Sequence, residues 1–574
     1  MAITIHGTTS IVGLISDTSN VGLGSTALDS ITTGDYNVAL GDEAGTAITT
    51  GDKNVTIGFR AGKLIDTGIQ NVAVGSYSLD ANTTGQENIA IGNSALGSNT
   101  TASYNTAVGT KALYANTTAA NNTAVGYYAL NVNTTGADNT AVGKGALDAN
   151  TTAANNVAIG INALGANTTG TQSTAVGAGA IQTNTTGAYN TALGYTALSS
   201  NTTASNNTAI GYESLVANTT GASNVAVGSY ALDANTTGGE NVAIGNHTLG
   251  TQTSDGHMNT AVGHEAMKGN TTGDSNTAIG FKALLDNTTA SNNTAVGRDA
   301  LLATTTGANN VAVGKGALSS ATTGYDNVAI GATAGYTHST GYRNVIAGFN
   351  AGHLMTTGNR NVILGTNAAY AMTTGDKSVI IGYEAAYNST NNTTGSNVIL
   401  IGAFSHCDTA SADYQTVLGY GVEGTNGTTT IGKNADDSRL SFGGTSWSAP
   451  SDQRLKEEIT TSTAGLSFVN DLRPVTFKWK KEKDIPNTLN GYVEDSETRF
   501  KTDTTEHGFI AQEVKTAIDA HSEIKDGFDM WTEDSSGGRQ RLAEGALIPV
   551  LVKAIQELSA KNEALLARIV TLEG

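Results

Sequence analysis

A short motif, Asn-(Thr/Val)-Ala-(Val/Ile)-Gly with small variations, returns along this chain at a fixed step, and that step limits what most of the chain can become. Its closing glycine falls at Gly24, Gly41, Gly58, Gly75, Gly92 and Gly109, then at Gly126, Gly143, Gly160, Gly177, Gly194, Gly211, Gly228 and Gly245, always 17 residues apart. One extra residue in the Gln252–Met258 region moves the phase to Gly263. The step of 17 then resumes through Gly280, Gly297, Gly314, Gly331, Gly348, Gly365 and Gly382 before loosening at Gly402, Gly419 and Gly432. Twenty-two regular repeats of one unit call for stacked copies, each touching only its neighbours.

A full unit runs from Asn122 to Asp138 and holds two short apolar pieces, Ala124-Val125 and Ala129-Leu130, separated by Gly126 and closed by Asn133-Thr134-Thr135-Gly136. It is too short for a helical-hairpin repeat, and its β-branched content opposes helix. It suits one coil of a parallel β-solenoid, predicted here as two strands of about 4–5 residues joined by two tight turns. Glycines supply the positive-φ corners; where alanine replaces the corner glycine, at Ala102, Ala119 and Ala153, the turn must do without that conformation. At about 4.8 Å per coil, 22 coils make a rod of roughly 105 Å.

Stacking puts equivalent positions in ladders. Asn82, Asn99, Asn116, Asn133, Asn150, Asn167, Asn184, Asn201, Asn218 and Asn235 fall in register, so their amides are expected to bond along the rod. Val125 and Leu130, with their equivalents, are expected to form the apolar stripe. About four apolar side chains per coil, two of them alanine, make a thin core. A homotrimer is therefore expected, with alanine faces buried between three rods.

Three features of the repeat invite functional readings. The Asn-Thr-Thr triplets match a glycan-acceptor pattern, although a turn-and-ladder asparagine explains them better. Tyr127, Tyr128, Tyr195, Tyr212 and Tyr230 follow the motif glycine and could stack on sugars or simply pack on the surface. Asp35, Asp52, Asp138, Asp274 and Asp326 recur in one turn, but without the dense carboxylate ladder of a calcium-binding roll, so solubility is the favoured role.

A net charge of −19 argues against a nucleic-acid partner, since phosphate neutralisation needs clustered Lys and Arg. The one cysteine, Cys407, excludes an intrachain disulfide framework and a cysteine-based zinc site. No cofactor or metal is expected. No apolar run approaches the ~20 residues of a membrane span, and Met1–Gly7 lacks the basic and apolar regions of a secretory signal.

At residue 450 the composition changes. The chain has no proline before Pro450, and the other three follow it, together with two of the three tryptophans. The new region opens Ser451-Asp-Gln-Arg-Leu-Lys456 and continues with Leu472-Arg-Pro-Val-Thr-Phe-Lys-Trp-Lys480, His507-Gly-Phe-Ile-Ala-Gln-Glu-Val514 and Leu547-Ile-Pro-Val-Leu-Val-Lys-Ala-Ile-Gln-Glu-Leu558. On its own, a serine and a lysine five residues apart read as a solvated helix start, with Ser451 or Asp452 as N-cap. In this order and spacing, however, the four blocks resemble the intramolecular chaperone domain of phage endosialidases and related tail fibres, over about 451–574.

That resemblance implies a domain that drives trimerisation and folding of the preceding β-structure, then releases itself. Carried over by position, it implies Ser451 as nucleophile, Lys456 as its activating partner and Pro450–Ser451 as the scissile bond. The chemistry is sound: burial or nearby positive charge, for which Arg454 is a candidate, lets a lysine serve as base, and attack on the adjacent carbonyl is intramolecular. The repeat itself resembles the heads of trimeric autotransporter adhesins.

The last 27 residues form heptads, with Ile548, Ile555, Asn562 and Ile569 at a and Leu551, Leu558, Leu565 and Leu572 at d. Ile at a with Leu at d leans to two strands; the resemblance and the thin rod both point to three.

The expected fold is thus mainly β: a trimeric parallel β-solenoid, then an α+β chaperone domain ending in a coiled coil. The divisions are 1–23 as an N-terminal cap or attachment segment, 24–402 as solenoid, 403–450 as transition, 451–546 as chaperone and autoprotease, and 547–574 as coiled coil. The leading function is a structural and host-adhesion fibre of a phage virion. The homotrimer would attach through its N-terminus to a tail or baseplate protein and would reach a host surface glycan or protein, with no membrane insertion. It would be located in the virion, and in host cytoplasm during assembly. Catalysis is expected only as single-turnover self-cleavage. The alternatives are a glycan-degrading tailspike, which would need an interrupting domain with paired carboxylates, and a bacterial trimeric surface adhesin, against which the missing signal and anchor count.

Overall fold

A computed structural model describes residues 19–573 except 254, 388–392, 445–446, 449–450, 452, 454–455, 488–491, 527 and 534–539. The chain divides into two compact units, Met1–Pro450 and Ser451–Gly574. Among the described residues no helix is long and apolar enough to cross a membrane.

The first unit is a parallel β-solenoid. Each coil from β1 (Val21–Leu23) to β23 (Ile399–Ile401) gives one three-residue strand, followed by the longer β24 (Thr416–Tyr420), β25 (Thr428–Lys433) and β26 (Asp436–Ser441). They form a single 26-stranded sheet. Successive strands pair in parallel, one coil apart, as Thr123 with Thr140, Ala124 with Ala141 and Val125 with Val142. The extra residue near 254 leaves register intact, because Val242 pairs with Thr260. Only β26 runs antiparallel, against β25.

The reading of two strands per coil is corrected by the structure: there is one. The rest of each coil is a run of turns, because Tyr128 (φ 62°), Leu130 (φ 54°), Asp138 (φ 59°) and their equivalents stand in the left-handed region. A non-glycine residue there costs roughly 1–2 kcal/mol. For Leu130 the cost is offset by complete burial of the side chain, which contributes about 1.5–3 kcal/mol. Its N–H also donates to Ala146 O of the next coil at 3.0 Å. The motif glycine is required for a different reason. Gly126 has φ 139°, and a Cβ there would lie 2.5 Å from Gly143 O.

The apolar stripe is also corrected. Ala124, Ala129 and Leu130 are fully buried within the chain's own coil, whereas Val125 is only half-buried. The strand bends around its middle residue, so the alanine points inward and the flanking Thr123 and Val125 point out. The strand alanines are therefore spent inside the chain's own coil and do not form the face between rods expected from sequence.

Several coils trade volume between two core positions. Most coils pair a large residue four after the motif glycine with an amide seven after it, as Leu130 with Asn133 and Leu164 with Asn167. In four coils with a bulky seventh residue the fourth is glycine: Gly45 goes with Ile48, Gly62 with Ile65, Gly335 with His338 and Gly352 with Met355, whereas the first coil keeps Leu28 with Ile31. A Cβ on Gly62 would meet Ile65 Cδ1 at 2.7 Å, so the exchange is a packing constraint.

The expected asparagine ladder forms. Asn99 Nδ2 donates to Asn82 Oδ1 at 2.9 Å, Asn150 Nδ2 to Asn133 Oδ1 at 2.8 Å and Asn167 Nδ2 to Asn150 Oδ1 at 3.1 Å. A second ladder, which the sequence reading missed, uses the motif asparagine. The Asn139 backbone N–H donates to Asn122 Oδ1 at 3.0 Å, and its Nδ2 to Ala153 O at 2.9 Å. Two buried amide columns thus satisfy polar groups that the turns would otherwise strand.

The second unit is a small α/β body. Helix α1 (Leu466–Asp471), β27 (Val475–Phe477), β28 (Glu506–Gly508), α2 (Ala511–Ala520), β29 (Trp531–Glu533), β30 (Gln540–Leu542) and α3 (Leu547–Glu573) follow in order. Phe468, Val514, Ile518, Met530, Leu547 and Val550 belong to its core. β27 pairs antiparallel with β28. Glu557 of α3 accepts the Leu466 N–H at 2.9 Å, meeting the start of α1 with a carboxylate.

Candidate functional site

Ser451 opens the second unit, and the chain turns back on itself at once: the Lys456 N–H donates to Gln453 O at 3.1 Å. That turn brings the two candidate side chains together, with Lys456 Nζ donating to Ser451 Oγ at 2.8 Å. Both residues are exposed. Pro450, the acyl side of the proposed scissile bond, lies outside the described residues, as do Asp452 and the candidate cation Arg454. The contact has the spacing that proton transfer from a serine hydroxyl to an amine requires.

The later blocks are brought into one body. Arg473, from the Leu472–Lys480 block, forms a fork on the Glu513 carboxylate of the His507–Val514 block, with Nε to Oε2 at 2.9 Å. The guanidinium holds Glu513 below the usual carboxylate range. The β27–β28 pair joins the same two blocks. An open cleft of about 500 Å³ beside it is lined in part by Thr476, His507, Phe509 and Glu544; neither Ser451 nor Lys456 lines it.

Sequence reasoning missed one cluster. His521, at the end of α2, has Nε2 2.8 Å from Asp471 Oδ2 and Nδ1 2.9 Å from Glu523 Oε1. Hydrogen bonds to Asp471, then to Glu523, raise the imidazole above its ordinary value, because both stabilise the cation. Asp471 ends α1, so the imidazole ties the two helices. No spacing in the sequence marks this, since the partners are 50 residues apart.

The other candidates resolve as structure. Asn133 and its ladder equivalents are buried and amide-bonded, so they cannot carry glycans in the folded rod. Tyr195 stacks on Tyr212 at 5.5 Å and 14°, and Tyr230 on His247 at 4.9 Å and 4°. Each of those rings thus has at least one neighbouring ring as a packing partner. Tyr127 and Tyr128 pack on each other at 4.3 Å. The turn aspartates bind the adjacent coil: Asp35 accepts the Ser19 N–H, Asp52 the Asp35 N–H and Asp274 the His257 N–H. Asp138 accepts from Asn121 Nδ2, and Asp326 pairs with Arg343. Among the described residues no group of three or more His, Cys, Asp or Glu is placed to hold a metal.

The model of one family, described as chaperone of endosialidase, matches residues 451–522. The match begins at Ser451 and takes in the blocks around Arg473 and Glu513; α3 lies beyond it. No curated protein gives a significant match, and no solved structure does.

Proposed function

We propose that this chain forms a trimeric fibre whose C-terminal unit brings three copies together in register and is then released by cleavage before Ser451. The observation that carries the reading is the 2.8 Å contact between Lys456 Nζ and Ser451 Oγ at the residue where the family match begins. In its neutral form Lys456 takes the Ser451 hydroxyl proton, and Oγ attacks the Pro450 carbonyl carbon. The peptide C–N bond breaks, the freed Ser451 amine takes the proton, and the acyl group rests as an ester on Oγ. Water then hydrolyses the ester and leaves a Pro450 carboxylate. A held intramolecular geometry supplies much of the rate that an external enzyme would need.

Helix α3 supports assembly. Its Leu547, Val550 and Ala554 are buried in the unit's own core, while Ile548, Leu551, Ile555, Leu558, Leu565, Ile569 and Leu572 are exposed. Val552 and Leu566, at e positions, are exposed as well. An apolar face spanning a, d and e is wider than a two-stranded seam buries and suits three strands. Near-identical coils are prone to slip by a whole repeat, and a clamp that sets register from one end removes that ambiguity. Releasing the clamp afterwards leaves a kinetically trapped assembly.

The setting we propose is a phage virion. The chain would serve as a tail fibre, joined through residues 1–23 to a tail or baseplate protein, with the solenoid reaching a glycan or protein on the host surface. Intact mass spectrometry tests the cleavage. Wild type is expected as fragments ending at Pro450 and starting at Ser451, and Ser451→Ala as one 58.3 kDa chain. A Ser451→Ala protein that still splits there sinks the assignment. Binding of the released rod to host cells, lost on removal of surface glycan or protein, tests the adhesive role.

A further inference from the structure

The outward face of the solenoid strands is unlike the rest of the rod. From β1 to β24, no strand contains Asp, Glu, Lys, Arg or His, in a chain whose net charge is −19. The two residues flanking each buried middle residue are almost always Thr, Val, Ile or Leu and project away from the chain's own core. Several are well exposed: Ile91 39%, Ile159 40%, Leu193 49%, Ile279 42% and Ile330 49%. The turns of the same coils carry Lys144, Asp138 and Glu213. A one-sided sheet in water normally alternates apolar inside with polar outside. Here the inside row is chiefly alanine and the larger aliphatics lie outside.

We infer that this strand face is the surface along which copies of the chain pack in the assembled rod, side by side and in parallel. The inference rests on the trimeric reading above and assigns its interface. The occupant is a second copy for three reasons. First, the face runs without a charge for the length of the solenoid, so only a partner with an equally long apolar face covers it, and this chain has one. Second, the flanking side chains are part-exposed in most coils and two-fifths exposed in those named, which gives on the order of 50 Å² of surface per coil, so about sixteen coils match the ~800 Å² that each partner commonly commits to a stable interface. Third, the same chain carries a second unpartnered apolar face on α3, which also calls for copies of itself. The β-branched rows present a stiff surface that loses little side-chain entropy on packing.

Cysteine cross-linking in the full-length protein tests the face. Thr174→Cys/Val176→Cys places thiols on both outward rows of one strand, and Thr186→Cys places one on an exposed turn of the same coil. The native Cys407 does not compete, because it is buried and its thiol is pushed up to about 12. Under mild oxidation the strand variant is expected to lose its single-chain band on a non-reducing gel and run as linked chains, while Thr186→Cys keeps its band. A second variant, Val176→Lys/Leu193→Lys, sets like charges across the face and is expected to melt below wild type while α3 still gathers the chains, whereas Thr186→Lys melts with wild type. A strand-lysine variant that melts with Thr186→Lys, with no links from the strand cysteines, overturns this interface and leaves the trimeric reading standing. A wild-type protein that sediments as a monomer overturns the trimer itself.

Discussion

Replacing Asn150 by alanine probes the feature on which the thin core most depends. Asn150 Nδ2 donates to Asn133 Oδ1 at 2.8 Å and to Ala153 O at 3.0 Å, and its own Oδ1 accepts from Asn167 Nδ2 at 3.1 Å. Ala153 O keeps a partner after the change, because Asn139 Nδ2 also donates to it at 2.9 Å. Two groups do not: Asn133 Oδ1 and one N–H of Asn167, which retains only its bond to Gly170 O. Both lie in coils where these asparagines are fully buried. A buried polar group left unpaired costs about 1–3 kcal/mol, so the expected loss is about 4 kcal/mol per chain. Repeat stacks lose stability at the interface that is damaged, so hydrogen exchange should show it locally. Amides of residues 130–170 are expected to lose protection, while those near residues 60–90 keep theirs. Thr135→Ala, on an exposed turn, serves as the control. If Asn150→Ala matches the Thr135→Ala protein in both local protection and melting temperature, the ladder argument is refuted.

Two further predictions concern pH. Burial lowers His338 to about 4, so between the unfolded value near 6.5 and about 4 the unfolded chain takes up a proton that the folded coil refuses. Stability is expected to fall by about 3 kcal/mol across that window as pH drops. Urea midpoints of wild type and His338→Met, which copies Met355 of the next coil, should diverge only there. His521 has the opposite sign. Its folded value is raised by Asp471 and Glu523, so its contribution is complete below the unfolded value near 6.5 and is lost as pH rises through the folded one. The α1–α2 tie should loosen toward alkaline pH, read as faster exchange of α2 amides, and His521→Ala should remove that dependence.

Much of the solenoid was legible because its cause is periodic. A glycine that must sit at φ near 139° under the carbonyl of the next coil leaves its mark every 17 residues, and an amide that must meet its copy one coil on leaves another. The second strand was misread for a physical reason. Leucine at position 130 carries no local signal for a left-handed conformation, which exists only because the neighbouring coil receives its N–H and the core receives its side chain. The facing of the strand was misread in the same way. Alternation shows that Ala124 and Val125 point to opposite sides, and only the closure of the coil says which side is inside. In the second unit, Ser451 and Lys456 were legible as a pair of residue types through a family resemblance. Their contact depends on the turn at Gln453, and the Asp471–His521–Glu523 tie depends on helices packed from distant segments.

The sequence by itself determined the coil length, the register between coils, the first asparagine ladder and the heptads of α3, because each is a repeat that stacking must satisfy at every copy. Only the tertiary structure decided that each coil has one strand, that the alanines are consumed within the chain, that a second ladder runs beside the first, and that the larger aliphatics face outward. Those depend on which way a closed coil bends. That curvature belongs to no single residue; it is set where Leu130, Ala124 and the two asparagines compete for one narrow interior.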